Sequence, residues 1–184
     1  LKQDIVSEIL ALLSYSSLKN NNRLQTLFFS DKNEKFWTPT KNQSIVYDIV
    51  QNSLDFNCLK KDIDYDKLCD FINTIIKEKS LIFLVGDFYN QVDLSKIAYK
   101  NEIYALIVRD RFEECPIINS ECEFIDPSSF ESSDFNLSKD IANEYKKLIE
   151  QNDEKLKEHF LQHQISYGKI YTDDDIYLRL VQIL

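Results

Sequence analysis

The chain has 184 residues, 43% of them hydrophobic, enough for one domain with a substantial core. Its 31 acidic residues outnumber 22 basic ones, a net charge of −9 that argues against a nucleic-acid partner gripped through its phosphates. No apolar run approaches the roughly 20 residues a bilayer span needs.

Leu1-Lys2-Gln3-Asp4 opens a polar-faced helix, not a signal peptide. The sequence contains no Met, so it is expected to continue upstream of Leu1. Cys58, Cys69, Cys115 and Cys122 form no CxxC pair. They read as reduced, structural thiols in a cytoplasmic chain, with a Cys115–Cys122 disulfide as the alternative.

Ile5, Val6, Ile9, Leu10, Leu12 and Leu13 form a wide helical stripe within residues 1–18. After the turn Lys19-Asn20-Asn21-Asn22, residues 23–30 read as a strand ending at Asp31. Residues 35–38 return beside it as the second arm of an antiparallel hairpin. Pro39 is expected to stop the pairing and to suit an edge. Asn42 or Ser44 caps a helix through about Leu54, with Ile45, Val46, Ile49 and Val50 inward.

A charged loop over residues 60–66 leads into a helix with Leu68, Phe71, Ile72, Ile75 and Ile76 inward. Lys77 and Lys79 are placed in its last turn, where cations suit the helix dipole. Next comes an unbroken apolar stretch, Leu81 to Val85, with Gly86-Asp87 closing it. Such an unbroken apolar run reads as a parallel strand buried on both faces, the mid-line of the sheet. Residues 92–98 form a short helix with Asp93 as cap. Residues 102–108 form a second buried strand ending at Arg109-Asp110.

Residues 122–125 read as a short last strand ending at Asp126, and residues 128–136 as a polar connector. One long helix then runs from Leu137 to about Gln164. Gly168 closes that region, and Thr172-Asp173-Asp174-Asp175 caps a terminal helix, residues 176–184. Helices alternating with buried strands predict an α/β fold with a mostly parallel sheet covered on both faces. One strand at its edge runs antiparallel, and the chain is expected to be one domain.

Four strand-like runs end in an aspartate: Asp31, Asp87, Asp110 and Asp126. In open α/β sheets the carboxyl edge is where ligands bind. Clustered carboxylates there are the donor set that Mg²⁺ takes. Alternatively, each Asp starts a turn or caps the next helix. Asp87 is the best placed, because it closes the most apolar strand and Gly86 permits close approach. His159 and His163, at i and i+4, have a spacing that holds zinc, but no third ligand stands near in sequence and they read as solvated or bordering the core. No Gly-flanked serine marks a nucleophile elbow, and two glycines in all leave no phosphate-cradling loop. Trp37 beside Phe36 is either a partner contact or a cover for the sheet edge.

Taken in order, LLSYSSLKNNNRLQTLFFSDKNEKFWTP, FLVGDF, IYALIVRDRFEECP, EFIDPSS and YTDDDIYLRLVQIL resemble a bacterial family with a von Willebrand factor A-like domain, domain of unknown function family 58. The resemblance implies a three-layer, Rossmann-like von Willebrand factor A fold. It also implies a non-enzymatic binding or assembly factor that works beside a MoxR-type AAA+ ATPase. In metal-binding relatives a divalent ion is held by Asp-x-Ser-x-Ser, a Thr in a second loop and an Asp in a third. Only the third maps here, onto Asp87. The second loop, near Asp62–Asp66, has no Thr, and the first strand with its motif would precede Leu1, so no cofactor is expected. In the family fold that strand lies between residues 23–30 and 81–85. Two functions are compatible with these residues. One is an interaction module that meets a protein partner through Asp87, Phe88 and Asp110. The other is a Mg²⁺-dependent phosphoryl-transfer enzyme built on Asp31, Asp87, Asp110 and Asp126.

Overall fold

A computed structural model describes residues 1–57, 61–90, 92–114, 122–125, 132–135 and 139–184. Its parallel sheet is built around β4 (Glu102–Arg109), which lies between β3 (Leu81–Gly86) and β7 (Ser166–Tyr171). The register runs from Leu81↔Glu102 to Gly86↔Ile107 on one side. On the other it runs from Tyr104↔Ser166 to Arg109↔Tyr171. The mid-line is thus β4, not the Leu81–Val85 run. β3 borders this sheet, with Leu81 53% exposed and Ile82 alone in the strand buried. β3 carries a five-residue apolar run and β4 a six-residue one. Such a run reports how much of a strand is covered, not what lies on either side of it.

Side chains alternate across a strand, so β4 feeds two layers. Ile103, Ala105 and Ile107 pack with Leu68 and Ile72 of α3 (Tyr65–Ile75) and Ile97 of α4 (Ser95–Ala98). Leu156 and Phe160 of α6 (Lys139–Gln162) complete that core. Leu106 and Val108, with Ile170 of β7, pack against Ile9 of α1 (Lys2–Lys19) and Ile176 and Leu180 of α7 (Ile176–Ile183). Helices therefore cover both faces, as the alternation of elements predicts.

The antiparallel hairpin forms from β1 (Leu24–Phe29) and β2 (Asn33–Thr40). Pairing does not stop at Pro39. It resumes at Leu24↔Thr40 after an irregularity between Leu24 and Thr26, a place a proline tolerates. Among the described residues β1 does not pair with β3. Leu27 and Phe29 nevertheless reach the same core as Ile82. A second hairpin joins β5 (Cys122–Ile125) to β6 (Ser132–Phe135). The expected last strand therefore pairs antiparallel with part of the expected connector. Asp126, Cys58 and Cys115 lie outside the described residues.

α2 (Ile45–Asp55) packs on α1 across two small residues, where Ser53 donates to Ser7 Oγ at 2.6 Å. Gln3 Nε2 donates to the carbonyls of Ser53, Leu54 and Phe56, so a side chain of α1 caps the C-terminus of α2. α3 ends at Ile75, which leaves Lys77 and Lys79 beyond its last turn. The short helix begins at Ser95 rather than Val92, and Asp93 Oδ1 accepts from Ser95 N at 2.9 Å.

β7 is the element the sequence pattern hides, since it reads polar-aromatic and contains Gly168. That glycine lets α7 close on the sheet. A Cβ at Gly168 would stand 2.4 Å from Ile183 Cγ1 and 2.5 Å from its Cδ1. Gly168→Ala is accordingly expected to cost about 1–3 kcal/mol in urea unfolding, the range for an overpacked core. The cost should shrink in an Ile183→Ala background. Equal costs in both backgrounds would show that the contact is not the cause.

Candidate functional site

The carboxyl ends of β3, β4 and β7 meet at one edge of the parallel sheet. At its centre is Arg109, the last residue of β4 and wholly buried. Arg109 continues the odd-numbered face of β4 toward α6, and Lys169 and Tyr171 project from β7 to meet it. Asp153 stands on the inward stripe of α6, between Ile149 and Leu156. Glu114 comes from α5 (Arg111–Glu114), directly after β4.

These groups form one charge network. Arg109 Nη1 lies 3.1 Å from Glu114 Oε1 and 2.9 Å from Asp153 Oδ1. Lys169 Nζ reaches Glu114 Oε1 at 2.6 Å and Asp153 Oδ2 at 2.7 Å. Tyr171 donates its hydroxyl to Glu114 Oε2 at 2.9 Å. Two cations face two carboxylates, so the quartet is formally neutral. Burial alone would raise the Glu114 carboxyl. Hydrogen bonds from Lys169 and Tyr171, together with the Arg109 guanidinium, outweigh that and hold it below its usual range. Burial would lower Lys169, but Asp153 and Glu114 raise it instead. Arg109 Nη2 and the Tyr89 hydroxyl are buried with no hydrogen-bonding protein partner among the described residues.

The network grips the turn that carries Asp87. Arg109 Nε donates to the Asp87 carbonyl at 2.9 Å, and its guanidinium lies 4.1 Å from the centre of the Tyr89 ring. Asn152 of α6 donates to the Phe88 carbonyl at 3.3 Å. Phe88 has φ = 55°, a left-handed conformation that costs a non-glycine residue about 1–2 kcal/mol. Its ring is buried between Tyr65 and Phe160, each with its centroid 6.0 Å away. Phe88, expected on the contact surface, is instead the anchor that pulls the turn into the core. Asp87 itself points outward, its side chain 50% exposed and 4.0 Å from Lys2 Nζ.

The other aspartates have separate occupations. Asp110 accepts from the Thr172 hydroxyl at 2.6 Å and from Phe112 N at 2.8 Å. Those bonds, with a smaller contribution from Lys2, hold its carboxyl below the usual range. Asp31 is exposed, accepts from Ser30 Oγ, and borders a shallow groove with Phe29, Lys67 and Phe71. In the second loop Asp64 caps α3 through Lys67 N and pairs with Lys67 Nζ. Among the described residues no three of His, Cys, Asp or Glu stand where they could share a metal ion. The oxygen donors that an octahedral ion would need are therefore not gathered around Asp87. The Mg²⁺ cluster of Asp31, Asp87 and Asp110 is not assembled by these elements.

His159 and His163 border the core, one of the two places expected for them. Their rings lie 4.6 Å apart, and His159 Nε2 accepts from the backbone N–H of Leu94 at 3.0 Å. The thiol of Cys69 is buried and pushed up to about 12 by burial and by Asp93, which suits an inert structural cysteine.

Sequence reasoning missed Arg109, Glu114, Asp153, Lys169 and Tyr171 as a group. Two local signals did exist. Arg109 closes the otherwise apolar run IYALIV, and Asp153 interrupts the inward stripe Ile149, Leu156, Phe160. A charge on a core-facing position needs a partner, and that alone marks both residues.

Among the described residues no helix is long and apolar enough to cross a membrane. No curated protein and no solved structure matches the chain. The family model described as Protein of unknown function DUF58 matches residues 1–155, and the chain belongs to that family.

Proposed function

We propose that the chain is a protein-interaction module of von Willebrand factor A type, a cytoplasmic assembly factor that works with a MoxR-type AAA+ ATPase and turns over no substrate. Its contact surface is the carboxyl edge of the parallel sheet, with Asp87 at the tip and Asp110 beside it. One observation carries this reading. The edge commits its buried charges to one another and to the backbone of the Asp87 turn, while the Asp87 carboxylate stays half exposed. A turn held in a strained conformation by its surroundings is how a fold pre-orders a contact. An acidic tip is also suited to a basic patch on a partner.

The test is binding of the purified chain to the MoxR-type ATPase of the same source. Asp87→Lys is expected to weaken it about tenfold or more, as reversing a charge at an interface rim does. The urea midpoint should hardly move, because the side chain is exposed. Absence of binding by the unaltered chain, or full binding by the charge-reversed one, would refute the proposal.

A further inference from the structure

The described residues between β3 and α4 are tied to α6 at both ends. At the start, Asn152 donates to the Phe88 carbonyl, and Asp153 pairs with the Arg109 that holds the Asp87 carbonyl. At the far end the tie is the bond from Leu94 N to His159 Nε2. Leu94 is wholly buried and precedes the first turn of α4, so its N–H requires an acceptor. A ring nitrogen accepts only when it carries no proton, which places the imidazole proton of His159 on Nδ1.

The charged and titratable groups facing His159 are few. Asp93 Oδ1, in the segment before α4, is 3.9 Å from Nε2 but already accepts from Ser95 N. His163 faces it from its own helix. Cys69 of α3 donates to the Asp93 carbonyl and stays a thiol. Burial and His163 disfavour the charged ring, while Asp93 favours it. The net effect is a pKa below the ordinary 6.5.

Protonation would put two donors, Nε2–H and Leu94 N–H, face to face. The ring must then turn away, and the nearest acceptor left to it is Asp93. We propose that His159 is a proton-operated latch: neutral, it fastens the start of α4 to α6; protonated, it exchanges Leu94 for Asp93 and releases the start of α4 from α6. That this release bears on partner binding rests on the function proposed above; the latch itself does not.

These are the only two histidines of the chain, so the titration is traceable. Amide exchange at Leu94, corrected for intrinsic rate, should lose about tenfold in protection between pH 7.5 and pH 5, the scale of one lost hydrogen bond. His159→Gln, whose side-chain oxygen accepts at either pH, should be flat. His163→Gln should keep the loss, with its midpoint moved upward. Equal protection at both pH values in the unaltered chain, or an undiminished loss in His159→Gln, overturns the latch. Ring-nitrogen NMR of the unaltered chain decides it without any variant. A His159 that is protonated at Nε2 at pH 7.5 overturns it as well. A latch that opens without changing ATPase binding would support the latch and count against the proposed function.

Discussion

Arg109→Met is expected to lower stability by about 3 kcal/mol or more in urea unfolding, the cost of removing one partner from a buried ion pair. The guanidinium is wholly enclosed, and its two carboxylate partners are about four-fifths buried, Glu114 at 19% and Asp153 at 21% exposure. Without Arg109 those two negative charges share Lys169 alone, and the Asp87 carbonyl loses its donor. Arg109→Lys should fall between the unaltered chain and the Met variant. It restores the charge but not the fork that binds Glu114, Asp153 and the Asp87 carbonyl together.

The deficit should also depend on pH with a definite sign. Glu114 has a folded pKa below its ordinary 4.5, so its contribution is present above pH 4.5 and is lost as pH falls through the folded value. Arg109→Met weakens that depression. The gap between the two proteins should therefore be widest above pH 4.5 and narrow in acid. An Arg109→Met midpoint equal to that of the unaltered chain would show that the network does not hold the edge together.

The second large effect is at Phe88. Truncating a buried aromatic costs about 3–5 kcal/mol, and both Phe88→Ala and Phe88→Gly should pay it. Their order should be unusual. Glycine adopts φ = 55° freely and alanine does not, so the Gly variant should be the more stable by about 1 kcal/mol. Phe160 supplies the control, since it is fully buried but sits inside α6. There Gly should fall below Ala by about 1 kcal/mol. The four midpoints, compared pairwise, separate backbone strain from lost packing. The same order at both positions would remove the strain from the account of the Asp87 turn.

Much of the architecture was legible along the chain. The β1–β2 hairpin, helices α1, α2, α3, α6 and α7, and strands β3 and β4 each carry a periodicity or a cap that depends on residues only a few positions apart. Asp175, within the expected Asp173–Asp175 cap, does accept from Leu178 N at the start of α7. β7 was not legible, because a polar-aromatic run with a glycine becomes a strand only when β4, about sixty residues upstream, pairs with it. The neighbours of β3 were hidden for the same reason.

The candidate site divides along similar lines. Local sequence determines that Asp87 follows an apolar strand and lies at its carboxyl end, and the family match agrees with the motifs that fall within residues 1–155 but does not reach YTDDDIYLRLVQIL. It does not determine that Phe88 turns inward, nor that Arg109 rather than an aspartate is the centre of that edge. Those outcomes come from Glu114, Asp153 and Lys169, brought from α5, α6 and β7 to one buried guanidinium. Hydrophobic period and capping are short-range and are written in neighbouring residues. Pairing of buried charges is a property of the space between elements, and only the packed chain decides it.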